Sequence, residues 1–428
     1  MKMETPPPDT KAAAQERKGL LSRLASEFSF IRGNFLLLVI SWLIMDFAGE
    51  MPGTYYGLYV KALGGTAVTI GLIGFASMIS QALVQFPGGY LADKYGRKWL
   101  ISTMTFGVAL SYVFYAFAPD WRALMFGAII SNLCLIYSPA LRAMTMDSLP
   151  PENRGMGFSI INLITSVSTT PAPLIAGLLY ARFGLAPSMR MGYAFVVAAY
   201  LAAAVLRLRL KETVREPRRI DGRELLSVYP RAISESLRVW REVPRSAFVL
   251  FLSNIVMMFS LAMIQPIFVL YAVEDLGIGP VNWSLIMTTL FVSMIALAIP
   301  CGKLIDKFGK RRPLLLAYPL MVMAMLLFVY GDLVRLYVAM PLVGLMQILF
   351  YSAASALNAD LVPKEHRGKV AGSSSFFRLI AMSAGQLIGG VLYESISHQT
   401  PFLLQLVFVV PPFLLALLFV KEPEEKEE

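Results

Sequence analysis

Long apolar runs alternate with short polar segments along almost the whole chain. Each run is about 18 residues or longer, which is enough for an α-helix to cross the hydrocarbon core of a bilayer. Only helices or closed barrels satisfy their backbone groups in lipid, and these runs are too long and continuous for barrel strands. We therefore predict an all-α membrane protein with twelve transmembrane helices, near residues 35–60, 66–90, 99–118, 122–147, 155–181, 189–210, 246–273, 281–304, 313–330, 333–360, 368–394 and 400–420.

Polar segments divide this pattern into five parts. A polar, proline-bearing N-terminal tail covers residues 1–30 and is predicted to be cytoplasmic. The long internal polar segment 211–245 is predicted to be a cytoplasmic linker, which joins an N-terminal six-helix bundle (31–210) to a C-terminal one (246–420). A short acidic tail, residues 421–428, follows the last predicted helix.

The composition supports a membrane protein, since 57% of the 428 residues are hydrophobic and only 15% are charged. A net charge of +10 also occurs in proteins that bind nucleic acid. Here the bilayer explains it better, because most Lys and Arg residues fall in cytoplasmic segments if the N-terminus is inside the cell. We predict a multi-pass protein of the plasma membrane with both termini in the cytoplasm and no nucleic-acid partner.

Residues for redox, metal or enzymatic chemistry are scarce. Cys134 and Cys301 lie in separate predicted helices, and the chain has only two histidines. A disulfide framework, a metal site or a cofactor is therefore not expected. No convergent set of nucleophile, base and oxyanion donors is apparent, which disfavours an enzyme. No glycine-rich loop ending in Lys-Ser or Lys-Thr is present, so ATP is not the expected energy source.

A charged turn framed by glycines occurs twice, about half a chain length apart. The first copy is Gly89-Tyr90-Leu91-Ala92-Asp93-Lys94-Tyr95-Gly96-Arg97-Lys98, and the second is Gly302-Lys303-Leu304-Ile305-Asp306-Lys307-Phe308-Gly309-Lys310-Arg311. The shared pattern G-x-L-x-D-x-x-G-[RK]-[RK] resembles the loop motif between the second and third helices in each half of major facilitator superfamily transporters. This resemblance implies two pseudo-symmetric six-helix bundles, and it is closest to the twelve-helix drug:proton antiporter group.

The resemblance also implies a gating charge cluster at the inner surface. In the family, the loop Asp, the loop Arg and the acidic residue that ends helix 4 close the inner gate in the outward-open state. These roles fall on Asp93, Arg97 and Asp147 in the first half. Their equivalents in the second half are Asp306, Lys310 and Asp360. A small charge network of this kind can form in one state and break in the other. Anchoring of the topology by positive charge is a compatible second role.

Two acidic residues in the first predicted helix are the strongest candidates for chemistry. Asp46 and Glu50 lie one turn apart and share a helix face. Asp46 is about 16 Å into the helix, near the midplane, where an ionised group costs roughly 3 kcal/mol. Two adjacent carboxylates at low dielectric do not both ionise readily, so the pair can take up and release protons. The alternative is a structural acid that hydrogen-bonds to a neighbouring helix.

A single arginine is predicted deep in helix 11. Arg378 lies about 15 Å into that helix, and the equivalent residue of the first half is the neutral Thr165. Many drug:proton antiporters of the family carry an arginine in the middle of helix 4, where this chain has no cation. Arg378 is a candidate substitute, which either pairs with Asp46 or Glu50 or binds an anionic substrate group. The alternative is an arginine that extends to the inner surface.

Other polar or aromatic residues within apolar helices are candidates to line a substrate cavity: Gln81, Gln85, Tyr56, Asn132, Asn254, Gln265 and Gln347. For Gln81 and Gln85, a hydrogen bond to a neighbouring helix is an equal alternative. For Tyr56, the alternative is a position against lipid or the protein core.

These features predict a secondary transporter that functions as a monomer. The first hypothesis is proton-coupled export of hydrophobic or amphipathic small molecules, cationic ones above all, by alternating access, with Asp46 and Glu50 as the coupling residues. The alternative is an importer or facilitator of an organic anion that uses Arg378 as the counter-charge. A membrane sensor without transport activity is disfavoured, because such a protein need not keep gate motifs in both halves.

Overall fold

The computed structural model of the protein describes residues 30–94, 96–150, 153–214 and 222–422. This part of the chain contains twelve helices long and apolar enough to cross a membrane and no strand, which confirms the predicted architecture. The helices are α1 (Gly33–Gly53), α2 (Ala67–Ala92), α3 (Arg97–Ala116), α4 (Trp121–Asp147), α5 (Ser159–Phe183), α6 (Leu185–Arg207), α7 (Arg245–Asp275), α8 (Pro280–Phe308), α9 (Arg311–Val329), α10 (Leu333–Leu361), α11 (Arg367–Ser395) and α12 (Thr400–Phe419).

The predicted tails lie almost entirely outside the described residues, as do residues 215–221 of the predicted linker. The domain boundaries therefore stay predictions. The rest of the linker forms a helix, Gly222–Glu242, which packs against α2 and α11. The Trp240 indole N–H donates a hydrogen bond of 2.8 Å to the Ser373 hydroxyl on α11, so the linker helix is fixed to the C-terminal half.

The two halves meet along two seams, α2 against α11 and α5 against α8. Small residues permit this approach. A Cβ atom on Gly390 of α11 would overlap the carbonyl oxygen of Ala67 on α2, and one on Gly177 of α5 would overlap Ser284 on α8. Gly177 and Gly390 occupy equivalent positions in the two halves, so the repeat brings the same small residue to both seams.

The halves are in contact at the end of the bundle away from the chain termini. The Lys61 ammonium and the Glu274 carboxylate form an ion pair of 2.6 Å. These two residues are 213 positions apart in the sequence, the offset that also separates the two loop motifs, so equivalent positions meet across the pseudo-twofold axis. The Tyr55 hydroxyl donates to the Pro280 carbonyl at 2.6 Å. The predicted outer end is therefore closed.

Two of the long helices change their winding near a proline, which lacks the N–H that continues an α-helix. In α4 a 3₁₀ turn, Leu135–Tyr137, precedes Pro139, and in α7 a 3₁₀ turn, Gln265–Ile267, contains Pro266. The turn in α7 lies against the short helix Tyr56–Ala62 that follows α1, because Gly57 of that helix closely approaches the Pro266 carbonyl. These irregular turns shape the interior of each half.

Candidate functional site

The two acids of α1 lie inside the N-terminal half, where α1 packs against α5 and α6. Both side chains are partly buried, and each carboxylate repels the other. The hydroxyl of Thr165 on α5 donates a hydrogen bond of 3.0 Å to Asp46. The carboxylate of Glu50 has no hydrogen-bond partner among the described residues. The structure thus places the predicted carboxylate pair on one face of α1, with only one of the two stabilised by a neighbouring helix.

A buried arginine that the sequence interpretation missed lies close to this pair. Arg207, the last residue of α6, is fully buried. Its Nε donates to Ser41 at 3.0 Å, and Nη1 donates to Thr105 at 2.9 Å and to the Tyr137 hydroxyl at 3.3 Å. Its Nη2 is buried without a partner in the described structure. Arg207 also attracts Asp46 electrostatically.

The surrounding hydroxyl groups are arranged to accept hydrogen bonds from this cation. Ser41 donates its own proton to the Leu38 carbonyl at 2.8 Å, and Thr105 donates to the Ile101 carbonyl at 2.6 Å. Each hydroxyl therefore presents a lone pair to Arg207. Ser41 and Thr105 lie about 12 Å from the starts of α1 and α3 by the helical rise, so the guanidinium group is well inside the bundle.

Tyrosine side chains fill much of the remaining interior of this half. The rings of Tyr115 and Tyr193 have centroids 4.9 Å apart, and those of Tyr112 and Tyr200 lie 5.1 Å apart. Tyr56, predicted to line a substrate cavity, joins this cluster through Tyr115 at 6.5 Å. Of these tyrosines, Tyr200 interacts electrostatically with Asp46, so the cluster extends to the carboxylate pair.

A second polar region is a cavity of about 290 Å³ at the predicted inner end, between α4, α7, α10 and α11. Arg142 of α4 and Arg378 of α11 both line it, together with Asn254 of α7. Both arginine side chains are exposed, and the two guanidinium groups repel each other. The described lining residues include no aspartate or glutamate, so the electrostatic potential of this cavity is positive.

The structure brings only two of the predicted cavity residues, Arg378 and Asn254, together at this cavity. Arg142 joins them although the sequence analysis did not propose it as a cavity residue. Its signal in the sequence was a cation about one and a half turns before the end of α4. The remaining candidates lie elsewhere: Gln81, Gln85 and Gln347 are partly buried, Gln265 is exposed, and Asn132 donates to the Ala128 carbonyl of its own helix at 2.9 Å.

Arg378 and the acids of α1 belong to different sites. Among the described residues, no ion pair within 4.0 Å joins Arg378 to Asp46 or Glu50. The electrostatic neighbours of Arg378 are Arg142 and Tyr351, both at the cavity. Of the two predicted roles for Arg378, the geometry therefore favours contact with a ligand over contact with the carboxylates.

Ion pairs form at the inner end of each half where the gating residues are predicted. Arg97 at the start of α3 pairs with Asp147 at the end of α4, and it also donates to the Thr213 hydroxyl at 3.1 Å. Lys310 pairs with Asp360 at the end of α10. Both pairs join the third and fourth helices within one half, so each holds its own bundle together.

The remaining two gating candidates are not seen in these pairs. Asp306 is exposed and has no ion-pair partner in the described part of the chain. The side chain of Asp93 lies outside the described residues.

A glutamate after the last helix of each half caps the third helix of that half. Glu212 accepts hydrogen bonds of 3.0 Å from the backbone N–H groups of Arg97 and Lys98, and Glu422 accepts one from the N–H of Arg311. Partial burial disfavours the ionised form of Glu212, but backbone donors outweigh it and lower the pKa of this carboxyl below its ordinary value. The caps tie the sixth and twelfth helices to the predicted gating loops.

The sequence matches the model of the Major Facilitator Superfamily over residues 36–252 and 250–428. The chain belongs to the major facilitator superfamily. It is 25% identical to multidrug resistance protein 2 of Bacillus subtilis (strain 168), over 81% of this chain and 84% of that protein. It is 26% identical to the multi-drug resistance efflux pump PmrA of Streptococcus pneumoniae, over 86% of this chain and 90% of the pump.

Solved structures of other superfamily members share the fold. A variant of the nucleoside transporter NupG superimposes with a TM-score of 0.68 at 16% identity, covering 90% of this chain and 98% of that one. The human organic anion transporter MFSD10 gives a TM-score of 0.65 at 19% identity, with the same coverage. At these identities the likeness concerns the fold alone.

Membership of the superfamily confirms the central prediction from the sequence. The protein is a membrane transporter of small molecules and not an enzyme. The two-bundle fold then explains why the site divides into a carboxylate pair within one half and a cationic cavity between helices of both halves.

Proposed function

We propose that the protein is a proton-coupled secondary transporter that exports hydrophobic or amphipathic small molecules across the plasma membrane. One observation carries the proposal: two carboxylates one turn apart in a membrane-spanning helix, with Thr165 on one of them and a buried arginine nearby. Relatives named as multidrug resistance proteins support the direction and the substrate class. Orientation with both termini in the cytoplasm and function as a monomer are part of the proposal.

The carboxylate pair would couple transport to the proton gradient by changing its charge. An ionised acid in low dielectric is costly, and Arg207 offsets that cost for Asp46 more than for Glu50, which lies farther along α1. Protonation of one acid removes the repulsion between the two. A proton taken up from outside and released inside would thus bias the two halves toward different orientations.

The ion pairs at the inner end would hold the third and fourth helices of each half together during this cycle. Arg97 with Asp147 and Lys310 with Asp360 fix the loop between the second and third helix to the end of the fourth. We assign Asp93 and Asp306 to the same gating role as partners in the outward-open state. The closed outer end and the cavity at the inner end correspond to the inward-facing state of alternating access.

Proton flux in proteoliposomes tests the proposal. Liposomes that contain the purified protein and a pH-sensitive dye receive a pH gradient and then a panel of lipophilic cations and organic anions. We expect a substrate to dissipate the gradient through the wild type, and Asp46→Asn or Glu50→Gln to reduce that rate by about tenfold or more, since the charge change is lost. Glu365→Gln is the control, because that side chain is 79% exposed.

Expression level and thermal stability of each variant are compared with the wild type, so that a folding defect is recognised. Proton-driven transport that is equal in both carboxylate variants and in the wild type would contradict the assignment of coupling to α1.

A further inference from the structure

We infer that the cavity between α4, α7, α10 and α11 binds an amphipathic organic anion, whose anionic group lies between Arg142 and Arg378. This inference rests on the proposed transport function and names the substrate class. The cationic preference expected from the acids of α1 has no counterpart in this cavity, because no acidic residue is among its described lining residues.

The two arginines lack the partners that buried or paired cations normally have. Neither guanidinium group takes part in a hydrogen bond or an ion pair among the described residues, and the two repel each other. An arginine in a protein cannot lose its proton, and it offers five N–H donors. Two such groups facing one cavity are stabilised by an anion between them, which removes the repulsion and accepts their hydrogen bonds.

The depth of these residues argues against a role at the lipid headgroups. Arg378 lies about 16 Å from the start of α11 by the helical rise, which is near the middle of the membrane. Arg142 lies about 8 Å from the end of α4, and its long side chain reaches the same cavity. A cation at the depth of Arg378 is expensive unless it faces water or a ligand.

The lining of the cavity combines apolar and polar side chains. α7 contributes Leu250, Phe251, Ile255 and Met258 beside the polar Asn254, and the thioether of Met258 adapts to ligands of different shape. Serine and asparagine side chains of α10 and α11 add polar groups. The ligand is therefore amphipathic, and a volume of about 290 Å³ restricts it to a compact molecule.

Ligand-induced stabilisation of the protein in phosphatidylcholine nanodiscs tests the inference without depending on transport. The probes are 1-naphthalenesulfonate, 1-naphthylmethylammonium and 1-naphthalenemethanol, which share one aromatic group and differ in charge. Only the sulfonate is expected to raise the Tm of the wild type, because binding to the folded state stabilises it. Arg142→Gln and Arg378→Gln should each weaken this binding by about tenfold or more, whereas Arg122→Gln at the other end of α4 should not.

Several outcomes would overturn the inference. They are equal stabilisation by the ammonium or the alcohol, no stabilisation by any probe, and an unchanged sulfonate effect in both arginine variants. Loss of the sulfonate effect in discs that contain phosphatidylglycerol would assign the cavity to lipid headgroups instead. If a glutamine variant does not fold, Arg378→Lys and the three matched probes on the wild-type protein still test the inference. Lysine keeps the positive charge of arginine but lacks its forked set of donors.

The binding assay separates this inference from the proposed function. Asp46→Asn should still bind the sulfonate although proton-driven transport is lost. Binding without any proton coupling in the wild type would refute the proposed function alone. Proton-driven transport of a cation with no sulfonate binding would refute the present inference alone.

Discussion

The two halves of the protein differ most in the side chains that they place at equivalent positions. Where the N-terminal half has Asp46, Glu50 and Arg207, the C-terminal half has Phe259, Met263 and Val420. The C-terminal half nevertheless forms the same six-helix arrangement, so the fold does not require charge at these positions. Placing three ionisable groups inside the N-terminal half is costly, and we therefore propose that they have a functional role.

At one pair of equivalent positions, the charged residue lies in the C-terminal half and the neutral residue in the N-terminal half. Arg378 is equivalent to Thr165. Thr165 donates to Asp46 within its own half, whereas Arg378 faces the cavity. One position of the repeat thus serves the carboxylate pair in one half and the cavity in the other.

Features that both halves share concern movement and packing rather than chemistry. The ion pairs at the inner end occur in both halves, and a glycine stands at the same position of each seam. A transporter with two rocking bundles needs restraints and close contacts on both sides of its axis. The comparison therefore separates the residues that both halves share, which concern packing, from the residues found in one half only, to which we assign proton coupling and substrate binding.

Loss of the buried cation in the N-terminal half has the largest expected effect. In Arg207→Met, Asp46 loses its favourable interaction with a positive charge. The pH at which proton-driven transport is half-maximal should rise by about one unit, which corresponds to about 1.4 kcal/mol. Transport assays in proteoliposomes over a range of pH measure this shift.

Two matched variants serve as controls for the pH shift expected in Arg207→Met. Val420→Met at the equivalent position of the C-terminal half should leave the pH profile unchanged, and Arg207→Lys should give a smaller shift because the charge remains. A wild-type pH profile in a well-folded Arg207→Met protein would show that the cation has a packing role only.

Most of the fold and part of the candidate site were predictable from the sequence, for a physical reason. Long apolar runs and a repeated loop motif are local signals, and they indicated all twelve helices and the residues of both inner ion pairs. Asp46 and Glu50 were also visible locally, since charge within an apolar run stands out. Their role in coupling stays a prediction.

The parts that depend on packing between distant helices were not predictable in the same way. Arg207 ends its helix next to the polar linker, so it looked like a surface cation; only packing of α1, α3 and α4 around it reveals the buried site. Arg142 and Arg378 are far apart in the sequence, and their shared cavity depends on how the two halves meet. Tyr56 was predicted to line a cavity, and its contact with the ring of Tyr115 on another helix was not visible in the sequence.

Adding a methyl group at the seams should have the next largest effect. In Gly390→Ala the new Cβ meets the backbone oxygen of Ala67, and in Gly177→Ala it meets Ser284. Both contacts lie in the outer half of the bundle, so each variant should push the outer ends apart and destabilise the inward-facing state by about 1 kcal/mol. Distance measurements between spin labels at Lys61→Cys and Glu274→Cys detect this opening.

Gly302→Ala is the control for this experiment, because a Cβ on Gly302 meets no atom within 4 Å and alanine favours the helix. Equal effects of Gly390→Ala and Gly177→Ala would support equivalent seams. Distances that match those of the control would refute close packing at these glycines.

The smallest expected effect concerns the glutamate cap of the N-terminal half. Since the folded structure lowers the pKa of Glu212 below its ordinary value of 4.5, its stabilisation is present above that value and is lost as the pH falls through the folded pKa. Glu212→Gln should therefore lower thermal stability at neutral pH slightly, by less than about 1 kcal/mol for a cap that is exposed to solvent.

The same variant should also flatten the dependence of stability on pH below about 4.5, because glutamine does not titrate. Thermal unfolding of the wild type and Glu212→Gln in detergent, from neutral to acidic pH, measures both effects. The two curves should converge at low pH, where Glu212 of the wild type is protonated and its cap is weakened. Parallel curves across the whole range would mean that the carboxylate charge of Glu212 does not stabilise the start of α3, and that the hydrogen bonds to Arg97 and Lys98 act as neutral contacts.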